Sequence, residues 1–206
     1  MSAATLLERA FVAAAEPPSD ATSARILDAA RDLVAASGLK ALTMDDVAVR
    51  AGVGRMTVYR RFGDRDAMID ALAVREVKAC LAALDEAVDV DDPVPDQIAA
   101  GFVTSLRLIR THPLLDRFAR HEPGSALEAL NANDGLLFGL AREFVAARLR
   151  ESLASGDIRA LDPDHTAELL VRLGVSFLLI PRSVLPLADE GRAAEVARRL
   201  IAPVLG

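Results

Sequence analysis

Between Leu42 and Phe62 the stretch "LTMDDVAVRAGVGRMTVYRRF" leaves room for only two short helices, separated by a turn at Gly52-Val53-Gly54. Thr43 stands at the N-cap position of the first, and Asp46, three residues on, occupies the place of a capping-box acid. Val47, Ala48 and Ala51 fall on its inward side, and Gly52 closes it in a tight turn. In the second helix Val58 and Phe62 lie four apart and form the buried side. Upstream, "SDATSARILDAARDLVAASG" reads as a helix capped by Thr22 or Ser23. Its apolar face is Ile26, Ala30, Leu33 and Val34, and Gly38 is its stop. Three short helices with a glycine turn between the second and third describe a helix-turn-helix.

Charge sharpens that reading. The chain carries a formal net charge of −6, a poor match to nucleic acid if spread evenly, but distribution matters more than the sum. Residues 1–66 balance nine basic against nine acidic side chains, while residues 67–206 hold fifteen against twenty-one. Within residues 50–65 there are five arginines (Arg50, Arg55, Arg60, Arg61, Arg65) and one acid, Asp64. The third helix would turn Arg55, Met56, Thr57, Arg60 and Arg61 outward while Val58 and Phe62 hold it to the core. A major groove admits one α-helix, and arginine on guanine is its commonest specific contact. Tyr59, beside the core face, can aim its hydroxyl at a phosphate, and the helix start at Gly54-Arg55 favours an anion.

At these residues the sequence resembles the DNA-binding signature of the TetR (tetracycline-repressor-like) family of transcriptional regulators. The resemblance rests on Thr43, Val47-Ala48, Ala51-Gly52-Val53, Thr57-Val58-Tyr59, Phe62 and Asp64–Asp66, and it is close over residues 22–70. It implies that Thr43, Tyr59 and Arg65 contact phosphates, and that Arg55, Met56, Thr57, Arg60 and Arg61 face bases or nearby backbone. Two positions depart from the signature. Gly54 stands where Ser is usual, and Met56 where a small residue or proline is common. Met56 either touches a thymine methyl or alters docking, so base preference does not carry over.

From Asp64 the pattern lengthens, and the expected fold class is all-α. A 1–18 extension precedes a 19–65 DNA-binding domain and a 66–206 helical domain for ligand binding and dimerisation. Asp64 caps a helix to about Val88. Others follow up to His112-Pro113, to Arg120, from Ser125 to about Ser155 with a loosening at "NANDG", over Thr166–Ile180 and over Asp189–Ala202, with no convincing strand. The middle helices offer walls for an apolar pocket: Phe102, Leu106, Leu137, Phe138 and Phe177. His112, Arg107, His121, Asn131 or Asn133 would be its polar groups. "LLVRLGVSFLLI" is apolar nearly all round, so it is either a central core helix or a helix shared between core and partner. The second is preferred, with Leu170, Phe177, Leu178, Val196 and Leu200 at a homodimer seam built from Thr166–Ile180 and Asp189–Leu205. The resemblance implies the same arrangement.

Several classes fall away. The three histidines are scattered and there is one cysteine, Cys80, so neither a metal site nor an internal disulfide is expected. No cofactor is called for. No nucleophile–base arrangement or phosphate-cradling loop is recognisable, so an enzyme is not expected. The N-terminal stretch makes a poor signal peptide and no apolar run approaches the about 20 residues of a spanning helix, so the chain reads as soluble and cytoplasmic. The reading is a homodimeric regulator that binds a palindromic operator on double-stranded DNA and acts as a repressor released by a small, largely apolar effector. Its rival is a DNA-binding dimer with no ligand, whose second domain only dimerises or recruits a partner.

Overall fold

The computed structural model describes residues 20–89, 91–154 and 162–204; the expected 1–18 extension lies outside them. The described residues form ten α-helices and no strand. They are α1 (Ala21–Ser37), α2 (Met44–Ala51), α3 (Arg55–Phe62), α4 (Arg65–Ala87), α5 (Val94–Thr111), α6 (Pro113–Arg120), α7 (Pro123–Asn131), α8 (Leu136–Ala154), α9 (Pro163–Leu179) and α10 (Glu190–Val196).

The ends of the first helices follow from side-chain chemistry. Asp20, not Thr22 or Ser23, caps α1, its carboxylate accepting from Thr22 N at 2.9 Å and Ser23 N at 3.0 Å. An ionised cap satisfies two orphan amides at once, and Ser23 is thereby drawn fully into the core. Thr43 caps α2 by accepting from Asp46 N at 3.1 Å, while its hydroxyl donates to the Asp46 carboxylate at 2.6 Å. Gly52 ends α2 in the left-handed region at φ 63°, and Asp64 caps α4 through Ala67 N at 2.9 Å.

Ile26, Ala30, Val34, Val47, Val58 and Phe62 close one core between α1, α2 and α3. Met68 and Leu72 of α4 and Leu114 of α6 belong to the same cluster, so the small domain is sealed by residues from beyond position 65. A second cluster joins Leu106, Leu187 and Ala193, against which Phe102, Phe177 and Val196 pack. Phe102 and Phe177 meet edge to face, centroids 5.6 Å apart, a favoured geometry for two aromatic quadrupoles.

Two expectations for the second half are corrected. The helix expected over Ser125 to Ser155 with a loosening at "NANDG" is fully broken there into two helices, because Asn133, Asp134 and Gly135 all take positive φ (50°, 55° and 74°); Asn, Asp and Gly are the residues that tolerate this. The last helix is α only to Val196, then widens to a π turn over Ala197–Ile201.

The two halves are joined by a clasp at the C-terminus of α1. Arg117 of α6 donates to the carbonyls of Ala35 at 3.2 Å and Ala36 at 3.1 Å, and its Nε donates to Glu122 at 2.9 Å. Glu122 in turn accepts from Leu39 N at 3.2 Å. Gly38 makes room for it: at φ 91°, a Cβ there would lie 2.0 Å from Glu122 Oε1 and 2.8 Å from Arg117 Nη2. Gly38→Ala should therefore both strain the backbone and open the clasp. We expect a loss of about 1–3 kcal/mol, read as a lowered urea midpoint at unchanged slope.

Candidate DNA interface and the cavity behind it

In α3 the buried pair Val58 and Phe62 fixes the rotation of the helix, and each other side chain takes its direction from them at about 100° per residue. Met56 and Arg60 point directly away from the core; both are exposed, Met56 at 77%. Arg55 and Tyr59 lie on one flank, Thr57 and Arg61 on the other.

The flanks are not free. Arg55 Nε pairs with Asp45 at 2.9 Å, its Nη2 donates to Tyr59 Oη at 3.3 Å, and its guanidinium lies 5.2 Å from the Tyr59 ring centre. Arg61, expected outward, is turned back: it donates to Ser23 Oγ at 2.8 Å and pairs with Asp20. The reason is geometric, since Arg61 lies only about 60° around the helix from Val58. It locks the start of α1 to α3. Arg65, expected on a phosphate, donates through Nε to Leu42 O at 2.9 Å and through Nη2 to Leu39 O at 2.7 Å, so it staples the turn before α2. Arg50 pairs with Asp32 at 2.8 Å. Thus four of the five clustered arginines have partners within the chain, and Arg60 has none among the described residues. Thr43 and Tyr59 stay at the surface beside this face, Thr43 exposed and Tyr59 half-buried.

Behind the small domain, a cavity of about 320 Å³ opens among α4, α5, α8 and α9, at the small end of the about 300–1,000 Å³ of ligand pockets. The five apolar walls expected, Phe102, Leu106, Leu137, Phe138 and Phe177, all line it. Val77, Leu81 and Leu84 of α4 complete it, and Gln97, Ser105, Asp85 and Arg148 supply its polar atoms. None of the polar groups proposed from sequence lines it: Asn131 bonds its own helix through Leu127 O at 2.7 Å, and Asn133 faces a separate cleft between α4 and α7. Cys80 also faces the cavity, its thiol pushed up to about 11 by burial and by Glu76, and so stays protonated.

The residues expected at the dimer seam are placed as follows in the single chain. Leu170, Phe177 and Leu178 face the cavity of their own chain, and Val196 packs on the second core cluster. Of the five, Leu200 is exposed, at 57%. The outward stripe of α9 is instead Leu169, Arg172, Ser176 and Ile180, spaced for one helical face.

His112, expected in the pocket, sits in a buried polar junction that periodicity could not disclose. Its Nε2 donates to Glu76 Oε2 at 3.0 Å. Arg75 donates to Glu76 Oε1 through Nη2 at 2.6 Å and also reaches Asp28 on α1 at 3.0 Å. Burial pushes the Glu76 carboxyl up, but the bonds from His112 and Arg75 outweigh it and hold it below the usual 4.5. His112 is the residue between α5 and α6, and its amide donates to Leu108 O at 2.8 Å; Leu108 lines the cavity. A continuous route thus runs from cavity wall through α4 to α1.

Among the described residues no group of His, Cys, Asp and Glu side chains could hold a metal ion, and no helix is long and apolar enough to cross a membrane. The fold and the exposed third helix define a helix-turn-helix DNA-binding protein. Residues 26–72 match the family described as bacterial regulatory proteins, tetR family. The chain is 28% identical over 179 residues to the HTH-type transcriptional regulator AlkX of Mycobacterium tuberculosis (strain ATCC 25618 / H37Rv), covering 86% of this chain and 82% of that protein. Its structure resembles the TetR-family repressor AlkX from Dietzia sp. strain DQ12-45-1b, implicated in biodegradation of n-alkanes, with a TM-score of 0.65 and 25% identity over 91% of this chain and 96% of that one. It also resembles the R. erythropolis transcriptional repressor QsdR from the TetR family, with a TM-score of 0.58 and 27% identity over 92% of this chain and 96% of that one. Over most of its length the chain is thus similar to HTH-type transcriptional regulators of the TetR family, and residues 26–72 match that family's model.

The Glu76 junction has a pH signature. A carboxyl with a lowered folded pKa adds stability that is complete above the unfolded value and lost as pH falls through the folded one. Glu76→Gln should cost about 1–3 kcal/mol near neutrality, and the gap to wild type should narrow as pH drops below 4.5. Urea titrations across that range measure it.

Proposed function

We propose that the chain is a homodimeric repressor, acting in the cytoplasm, that releases a palindromic operator when a small, largely apolar effector enters the cavity. The observation that carries this reading is that one helix serves both sites. α4 begins beneath the DNA-reading domain, at the Arg65 staple, and its later turns supply Val77, Leu81 and Leu84 to the cavity. An effector that spreads the cavity walls shifts α4 and the His112–Glu76–Arg75–Asp28 route together. It thereby favours a domain arrangement that no longer fits the operator. Met56 and Arg60 face bases, with Thr57 and Arg55 at their sides, while Thr43 and Tyr59 flank the backbone. Arg61 and Arg65 hold the reader's shape.

The predominance of apolar walls supports an aliphatic effector, as does the similarity to a repressor implicated in biodegradation of n-alkanes. The test is a selection of genomic fragments bound by the purified protein, followed by thermal melts with a homologous series of straight-chain alkanols. We expect some members to raise the melting temperature and release the selected fragment. Ile98 also lines the cavity, and Ile98→Trp, which narrows it, should abolish both effects while leaving operator affinity within about twofold, a change on the order of 0.4 kcal/mol. A series that never shifts the melt would overturn the apolar effector.

A closed dimer places two reading helices on successive major grooves, and its seam must be self-complementary. Leu169 on α9 at 57% exposure, Ile180 at its C-cap at 67%, and Leu200 at 57% are exposed apolar side chains that suit it. Leu169→Glu should give monomers by light scattering, with helical content kept and operator binding lost. A dimer that persists would place the seam elsewhere.

A further inference from the structure

The reading face of α3 holds an apolar side chain with no partner in its own fold. Met56 is 77% exposed and sits in the first turn of α3, the part of a recognition helix that approaches base edges. Its neighbours do not cover it. Arg55 is drawn aside by Asp45 and Tyr59, and Arg61 is tied to Asp20 and Ser23. The N-cap, Gly54, has no side chain to shield it. Met56 and Arg60 therefore stand alone at the crest of the helix, one turn apart.

The floor of a major groove offers hydrogen-bonding groups at every base pair but one apolar group, the C5-methyl of thymine. An unbranched thioether adapts its shape to such a target more readily than a branched side chain. Any other base edge would leave polar groups dehydrated against the thioether without a hydrogen bond. We infer that Met56 is a specificity-determining residue that packs on a thymine methyl in each operator half-site, next to the guanine read by Arg60. Four residues of helix advance about 6 Å and one base step about 3.4 Å, so the thymine lies within about two base pairs of that guanine. This rests on the proposed DNA-reading function and adds to it the chemistry of one contact.

The experiment replaces thymine by uracil, one position at a time, in a duplex selected by the full-length protein; only the methyl is removed. Burial of one methyl-sized group predicts that wild type loses about fourfold in affinity per half-site at one thymine beside the guanine. Met56→Ala should bind thymine and uracil equally there, and Met56→Leu, which keeps an apolar side chain, should retain part of the preference. Met56 is exposed, so these variants do not disturb the core. If no uracil weakens wild type, or if the loss is the same in Met56→Ala, the assignment is wrong although sequence-specific binding stands. If selection returns no sequence above random DNA, the DNA-reading function and this contact fall together.

Discussion

A buried carboxylate needs partners, and Glu76 takes His112 and Arg75, through which the junction reaches the reading domain. Left unpaired it would be costly to bury; His112 from the α5–α6 corner and Arg75 beside it make burial tolerable. Arg75 then extends the junction to Asp28 and to the Ala24 carbonyl on α1. The reading domain is thereby held from beneath, and Arg117 and Glu122 hold the far end of the same helix. With α1 gripped at both ends, the orientation of α3 depends on where α4 and α6 stand.

The arginine-rich segment has a different physical meaning from its raw charge. Arg50, Arg55, Arg61 and Arg65 pair with Asp32, Asp45, Asp20 and backbone carbonyls. These groups shape a domain with very short helices, where isolated helical segments of fewer than about 12 residues are marginal on their own. What remains outward is one arginine and one methionine. In the proposed mechanism, specificity comes from a narrow crest, and affinity from backbone contacts around it.

Local chemistry in the sequence disclosed the helix-turn-helix, its caps at Thr43 and Asp64, and its stops at Gly38 and Gly52, since each depends on residues within a turn. The apolar walls of the cavity were also legible, because Phe102, Leu106, Phe138 and Phe177 follow helical periodicity. The partners of Arg61, Arg65 and His112 were not, because they lie 38, 26 and 36 residues away in the chain. The helix wheel alone could have warned about Arg61, three residues from Val58. The inward turn of Leu170 and Leu178 was hidden because α9 is apolar on nearly every side, so its pattern names no single buried face.

The central claim is that cavity and DNA-reading face are thermodynamically coupled through α4. Linkage makes the coupling reciprocal. The most direct measurement is the dissociation constant of a stabilising straight-chain alkanol for the free protein and for the same protein saturated with its operator. The account predicts weaker binding to the operator complex, by about 5–150-fold, the usual span of allosteric coupling. Equal affinity in the two states would contradict it.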